Sequence, residues 1–142
     1  MAHRRLYYHF VWATKGRQPL IDKFVEAELY AYMAHKAQQE HVPLFYINGM
    51  SEHLHVLAAV RPMISPASFI KLLKGSSSHC MTHELKVPHF EWQKRYGVYS
   101  VSESHVDMIR QYIQNQKRHH ADASTIERLE KFNSWNEGPM LT

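Results

Sequence analysis

The run HLHVLAAV, His53–Val60, constrains the fold more than any other stretch. In an extended chain successive side chains alternate sides. Leu54, Val56, Ala58 and Val60 therefore form one apolar edge. His53 and His55 point the other way, about 7 Å apart along the strand. Such a strand belongs in a sheet with two different faces. One face packs on a core, and the other must give two imidazoles something polar to meet.

The flanking pattern supplies the rest of that sheet. LYYHFVWAT, Leu6–Thr14, is aromatic and β-branched and reads as a first strand. KGRQP then makes a basic turn. Asp22 is an N-cap for a helix from about Lys23 to Glu40, with Phe24, Val25, Leu29, Tyr32 and Met33 at helical spacing. VPLFYINGM, Val42–Met50, is a second strand, and His53–Val60 the third. Ser65 and Pro66 open a second helix whose apolar face is Phe69, Ile70, Leu72 and Leu73, with a break or bend expected near Gly75 and Ser76–Ser78. GVYSVS, Gly97–Ser102, is a fourth strand, and Ser104 caps a third helix from His105 to about His120. A short helix around Ile126–Phe132 is possible in the tail. The order β-α-β-β-α-β-α is an α+β, ferredoxin-like (RRM-like) arrangement. It implies a four-stranded antiparallel sheet with helices on one face and one helix appended. Residues 1–120 form the expected domain, and 121–142 a short tail.

Composition narrows the class. The 142 residues suit one domain with a hydrophobic core. A net charge of +4, with 12 histidines besides, suits a phosphate-rich partner. A single cysteine, Cys80, excludes an internal disulfide and a multi-cysteine zinc site. With no signal-like segment and no apolar run near the roughly 20 residues a membrane helix needs, the expectation is a cytoplasmic protein that does not engage membranes.

On the last helix, His105, Tyr112, Gln116 and His119 fall on one stripe beside the apolar Val106, Ile109 and Ile113. Taken singly, Tyr112 is a core-edge residue, Gln116 a solvated one, and the histidine pair a structural, hydrogen-bonded one. If the stripe faces the pair, a different chemistry follows. His53, His55 and the Gln116 amide oxygen give a divalent cation three neutral ligands, suited to Mn²⁺ or Mg²⁺, with positions open for phosphate oxygens. Tyr112 then presents a phenol to that phosphate, and a neighbouring cation favours its phenolate. In-line attack would leave a covalent phosphotyrosine and a free sugar hydroxyl.

These residues resemble the single-tyrosine HUH transposases of insertion sequences that move as single-stranded DNA. His53-Leu54-His55 is the histidine–bulky–histidine motif. YHFVWATKGRQPLI from Tyr8 resembles the family's first strand and basic turn, and FIKLLKGSSSHCM from Phe69 its second helix. FEWQKRYGVYSVSESHVDMIRQYIQNQKRHH from Phe90 resembles the segment leading into and including the tyrosine helix. The resemblance implies that Tyr112 is the nucleophile and that His53, His55 and Gln116 bind the metal. It also implies a 5′-phosphotyrosine intermediate, recognition of single-stranded hairpins at element ends, and a homodimer, often with the tyrosine helix completing the partner's site.

Arg4, Arg5, Lys15, Arg17, Lys71, Lys74 and Ser76, Ser77 and Ser78 form the expected DNA-contacting set, each of them alone equally a solvated surface residue. Tyr7, Trp12, Tyr46, Trp92 and Tyr96 are core aromatics or base-stacking platforms. His119 and His120 suit the dipole at a helix C-terminus. Glu52 and Asp107 are the acids able to orient an imidazole. Besides the transposase, three readings remain: a domesticated relative acting on repeated genomic palindromes, a non-catalytic single-stranded nucleic-acid-binding module, and a hydrolase using metal-activated water.

Overall fold

The computed structural model describes residues 6–130. Four strands, β1 (Leu6–Ala13), β2 (Leu44–Met50), β3 (His53–Val60) and β4 (Gly97–Val101), form one sheet in the order β2-β3-β1-β4. Every neighbouring pair is antiparallel. This is the ferredoxin-like arrangement the element order implied. The β2–β3 hairpin is tight enough that a Cβ on Gly49 would lie 2.1 Å from the His53 carbonyl oxygen. Glycine is therefore required at the residue that brings β2 alongside the two histidines.

The two faces are filled from different parts of the chain. Phe10, Trp12, Leu54, Val56, Ala58 and Val60 face α1 (Glu26–Gln39) and α2 (Pro66–His79). Leu29, Met33 and Ala37 from α1, with Phe69, Ile70 and Leu73 from α2, complete that core. On the opposite face Leu57 packs with Ile109, Tyr112 and Ile113 of α3 (Val106–Gln114) and with Leu129 of α5 (Glu127–Glu130). The last helices thus lie across the sheet face that carries His53 and His55. Among the described residues no helix is long and apolar enough to cross a membrane.

Two helices differ from expectation. α2 does not break at Gly75. The Ser76 and Ser77 hydroxyls donate to the Leu73 and Lys74 carbonyls, so the serines serve the helix instead of competing with it. The helix ends in a widened turn, Cys80–Glu84. The last helix, expected to run to His120, is interrupted at Asn115, and α4 (Gln116–Ala121) follows. There the Asn48 amide of β2 donates to the Ile113 and Gln114 carbonyls, at 3.0 and 3.1 Å, while the Lys117 ammonium reaches Glu26, Asn48 and the Gly49 carbonyl. These bonds tether the tyrosine-bearing helix to the edge of the sheet.

Candidate active site

β3 sets both imidazoles on the face opposite the α1–α2 core, and both are fully buried. Gln116, at the start of α4, is also fully buried, and its Oε1 lies 3.2 Å from His53 Nε2. The Tyr112 ring stands edge-on to His55 with centroids 6.0 Å apart. The four residues singled out as catalytic, His53, His55, Tyr112 and Gln116, therefore meet within one chain.

A fifth group lies at the centre and was missed. Glu130, on α5, places Oε1 3.1 Å from His55 Nε2, 3.3 Å from His53 Nε2 and 3.4 Å from His120 Nε2. Its Oε2 accepts from the Tyr112 hydroxyl and, at 3.1 Å, from the Gln116 amide. The Ile126 backbone N–H donates back to the Tyr112 oxygen at 3.0 Å. Residues 121–130 are thus part of the site and not a mere extension beyond it. No pattern around Glu130 signals this role. The acid lies 18 residues beyond Tyr112, and only the return of the chain over the sheet reveals it.

Glu52 fulfils the orienting role. Its carboxylate lies 2.5 Å from His53 Nδ1 and accepts from Arg17 at 3.4 Å. A proton held on Nδ1 leaves Nε2 free as a ligand, the arrangement by which carboxylates orient metal-binding histidines. Asp107 instead pairs with Arg110 on the surface. His9, from β1, plays the corresponding part for His55, with Nε2 2.8 Å from His55 Nδ1. His119 stacks on the Tyr112 ring at 4.6 Å and bonds to Ser124, while His120 sits edge-on to His53. The sequence assigns the pair to the helix dipole, with His119 also on the stripe of Tyr112 and Gln116.

The charges are coupled. Burial would lower His53, but Glu130 and Glu52 at its two nitrogens outweigh it and raise its pKa. Burial lowers His55 and His9. Burial pushes Glu130 up, yet hydrogen bonds from His53, His55 and Tyr112 prevail and hold it well below the usual carboxylate range. Burial and the Glu130 acceptor raise the Tyr112 phenol, which is protonated in this state.

The donor set fits a divalent cation. Ligands about 2.1 Å from a common centre lie roughly 3.0–3.4 Å from one another in octahedral or tetrahedral shells, and the distances above fall in or close to that range. Donor atoms of His53, His120 and Glu130 all lie within 4.8 Å of one another. His120 Nε2 is buried and meets Glu130 Oε1 at 3.4 Å, an ion-pair contact without hydrogen-bond geometry. Beside the set inferred from sequence, His53, His55 and Gln116, the structure thus brings a carboxylate and a further imidazole, Glu130 and His120. Imidazole, amide and carboxylate donors suit the Mn²⁺ or Mg²⁺ expected.

The expected DNA-contacting residues separate. Lys15, Arg17 and Lys71 are exposed, Lys15 beside Glu91 at 3.0 Å. The Lys74 ammonium is instead turned inward, with the Gln93, Lys94 and Arg95 carbonyls at 2.6, 3.2 and 3.4 Å. Burial lowers its pKa to about 8. Ser77 is fully buried and accepts from the Trp92 indole at 2.9 Å. Both positions secure the loop before β4. Ser76 and Ser78 are half-buried; Arg4 and Arg5 lie outside the described residues. Tyr7, Trp12 and Trp92 are core residues, and Tyr46 and Tyr96 are half-buried.

A ferredoxin-like sheet with a histidine–leucine–histidine strand, faced by a tyrosine on the following helix, defines the single-tyrosine HUH class. The family described as IS200-like transposases matches residues 2–116, and the chain belongs to it. Its relatives include the ISDra2 transposase TnpA of Deinococcus radiodurans, 27% identical over 120 residues that cover 79% of this chain and 84% of that protein. A crystal structure of a Deinococcus radiodurans R1 transposase superposes with a TM-score of 0.64 at 30% identity, covering 81% of this chain and 93% of that one. A REP-associated tyrosine transposase bound to a REP hairpin shares the fold, with a TM-score of 0.64 at 13% identity over 84% of this chain and 71% of that one.

Proposed function

We infer that the protein is a metal-dependent transposase that cleaves and rejoins single-stranded DNA at hairpin-containing ends through a 5′-phosphotyrosine on Tyr112. The observation that carries this reading is the meeting of Tyr112, His53, His55, Gln116 and Glu130 around one point in a single chain. A cation bound by His53, His55, Gln116 and Glu130 would polarise the phosphodiester and favour the phenolate. Tyr112 Oη forms the bond to phosphorus, its proton passing to Glu130. The P–O3′ bond breaks, and the leaving O3′ takes a proton from water, the hydroxide left behind being neutralised by the proton that Glu130 received. Attack by a 3′-hydroxyl on the phosphotyrosine reverses these steps and restores the strand with no nucleotide cofactor.

DNA reaches the site past the exposed Lys15 and Arg17, the latter already linked through Glu52 to His53. A cavity of about 650 Å³ lined by Lys15, Lys94 and Arg95, with Glu91 paired to Lys15, carries a net basic lining that a phosphate backbone could meet. A protein of the same fold engages a hairpin, which supports hairpin ends as the substrate. Lys71, Ser76 and Ser78 stay in the proposed contact set, as do Arg4 and Arg5. The proposed assembly is the homodimer the resemblance implies, often with the tyrosine helix of one subunit completing its partner's site, acting in the cytoplasm. A domesticated relative working on repeated palindromes would use the same chemistry.

The test is covalent capture. Labelled single-stranded hairpin DNA, incubated with the protein and Mn²⁺ or Mg²⁺, is expected to give a denaturant-resistant adduct that needs the metal and is lost in Tyr112→Phe with binding retained. An adduct of undiminished yield in Tyr112→Phe removes Tyr112 from the mechanism. Cleavage with no adduct favours the water-using hydrolase, and binding with neither favours the non-catalytic module.

A further inference from the structure

His9 is fully buried on β1, yet only one of its nitrogens is used. Nε2 meets His55 Nδ1, while Nδ1 has no hydrogen-bond partner among the described residues. A buried ring nitrogen without a partner is unfavourable unless something outside the chain meets it. His9 also lines a cavity of about 370 Å³ with Tyr99, Ser100, Ser102, Met108 and Ile109. The site and the cavity therefore share a wall.

The tautomers follow from the neighbours. A cation on His55 Nε2 leaves the proton of a neutral His55 on Nδ1, where it is donated to His9 Nε2. His9 Nε2, accepting that proton, leaves the ring's own proton on Nδ1. The outcome is an N–H donor with no acceptor, in the wall of a cavity next to the catalytic histidines.

The placement suits one class of ligand. His55 is on β3, His9 on the adjacent β1, and Tyr99 on β4 opposite His9. The His9 and His55 ring centroids are 5.0 Å apart, so the cavity begins within reach of the sugar and base of a nucleotide whose phosphate is at the site. Ile109 and the half-exposed Met108 offer apolar surface for ring faces, and the Tyr99 ring lies 5.8 Å from His9. Ser102 supplies a polar group at the edge. Apolar faces with a few donors are how proteins take up splayed bases of single strands. Met108 is four residues before Tyr112, so one helix would set both base and nucleophile.

We propose that this cavity receives the nucleobase adjoining the scissile phosphate, with His9 Nδ1–H donating to an acceptor on its edge. The inference rests on the single-strand reading above and adds the subsite to it.

The test compares two single-stranded probes with equal numbers of phosphates, a dodecamer of thymidine and a fully abasic dodecamer, by fluorescence anisotropy with Mn²⁺. Thymine offers O2 and O4 as acceptors. The wild-type protein is expected to prefer the thymidine probe by about tenfold or more. Met108→Trp, a half-exposed position at the cavity, should remove most of that preference and leave abasic affinity within about twofold. His9→Phe should reduce the preference as well. A preference unchanged in both variants, or absent in the wild type, overturns the proposal. The covalent-capture assay separates the two ideas. An unchanged preference with adduct formation intact sinks the cavity alone, whereas a lost adduct with the Met108 effect present sinks the tyrosine chemistry alone.

Discussion

The Tyr112 hydroxyl donates to the Glu130 carboxylate, a residue 18 positions later in the chain. The same carboxylate bridges both histidines of β3. The proposed nucleophile and the proposed metal ligands are therefore linked through one side chain, which sits on the segment that follows the tyrosine helix.

Glu130→Gln keeps the shape but removes the charge that two imidazoles and an amide would share with a cation. Mn²⁺ affinity, measured by isothermal titration, is expected to fall roughly 10- to 100-fold, as for lost groups that support a metal site. Because the amide cannot take up the phenol proton as a carboxylate does, adduct yield should fall even at saturating Mn²⁺. Equal Mn²⁺ affinity in the two proteins would leave Glu130 outside the coordination shell.

The titration of the buried cluster sets how the metal-free protein responds to acid. His9, His55 and His120 lie below the ordinary 6.5 in the folded state, chiefly through burial. Below that pH the unfolded chain takes up protons the folded one refuses, so stability falls. His53 runs the other way. Its contribution is full below 6.5 and is lost as pH rises through its higher folded value. Glu52 and Glu130, both lowered, contribute above their ordinary 4.5 and lose this as pH falls through their folded values. Three imidazoles oppose one, so urea midpoints in chelator should decrease from about pH 7.5 to about pH 5. A midpoint that rises over this interval contradicts the assignment of neutral, buried His9 and His55.

How far the sequence revealed this arrangement depended on the range of each interaction. Strand alternation placed His53 and His55 together, and helical spacing placed Tyr112 beside the apolar stripe, because both periodicities are local. The break at Asn115 was not legible, since its cause is the Asn48 amide on a distant strand. Glu130 and His9 were missed for the same reason. Each acts through a partner more than ten residues away, and neither sits in a pattern of its own. Lys74 and Ser77 resembled surface contacts by residue type, but α2 turns both toward the loop before β4.

That inward turn has a measurable consequence. Ser77→Ala removes the acceptor of a buried indole N–H and should cost roughly 1–3 kcal/mol in urea denaturation. Its affinity for single-stranded DNA should stay within about twofold of wild type. Lys71→Ala, at an exposed position, should do the reverse: little change in stability, and a salt dependence of DNA binding shallower by about 0.7 in the log–log slope. A DNA-binding loss in Ser77→Ala without destabilisation would return the serine to the contact surface.

Asn48 reaches the Ile113 and Gln114 carbonyls from β2 and also accepts from Lys117. It touches neither Tyr112 nor a ligand nitrogen, so it acts by position. Asn48→Ala leaves two helix-end carbonyls without their donor and loosens the register of α3 and α4 against the sheet. Small misplacements of a nucleophile cost on the order of 100-fold in rate, whereas His53, His55 and Glu52 are positioned without Asn48. The expected result is a drop in adduct formation rate of tenfold or more, with Mn²⁺ affinity reduced much less. If both fall in proportion, Asn48 supports the site as a whole and not the tyrosine in particular. If neither falls, the helix is held in place by the Lys117 contacts and the packing of Ile109 and Ile113 against Leu57.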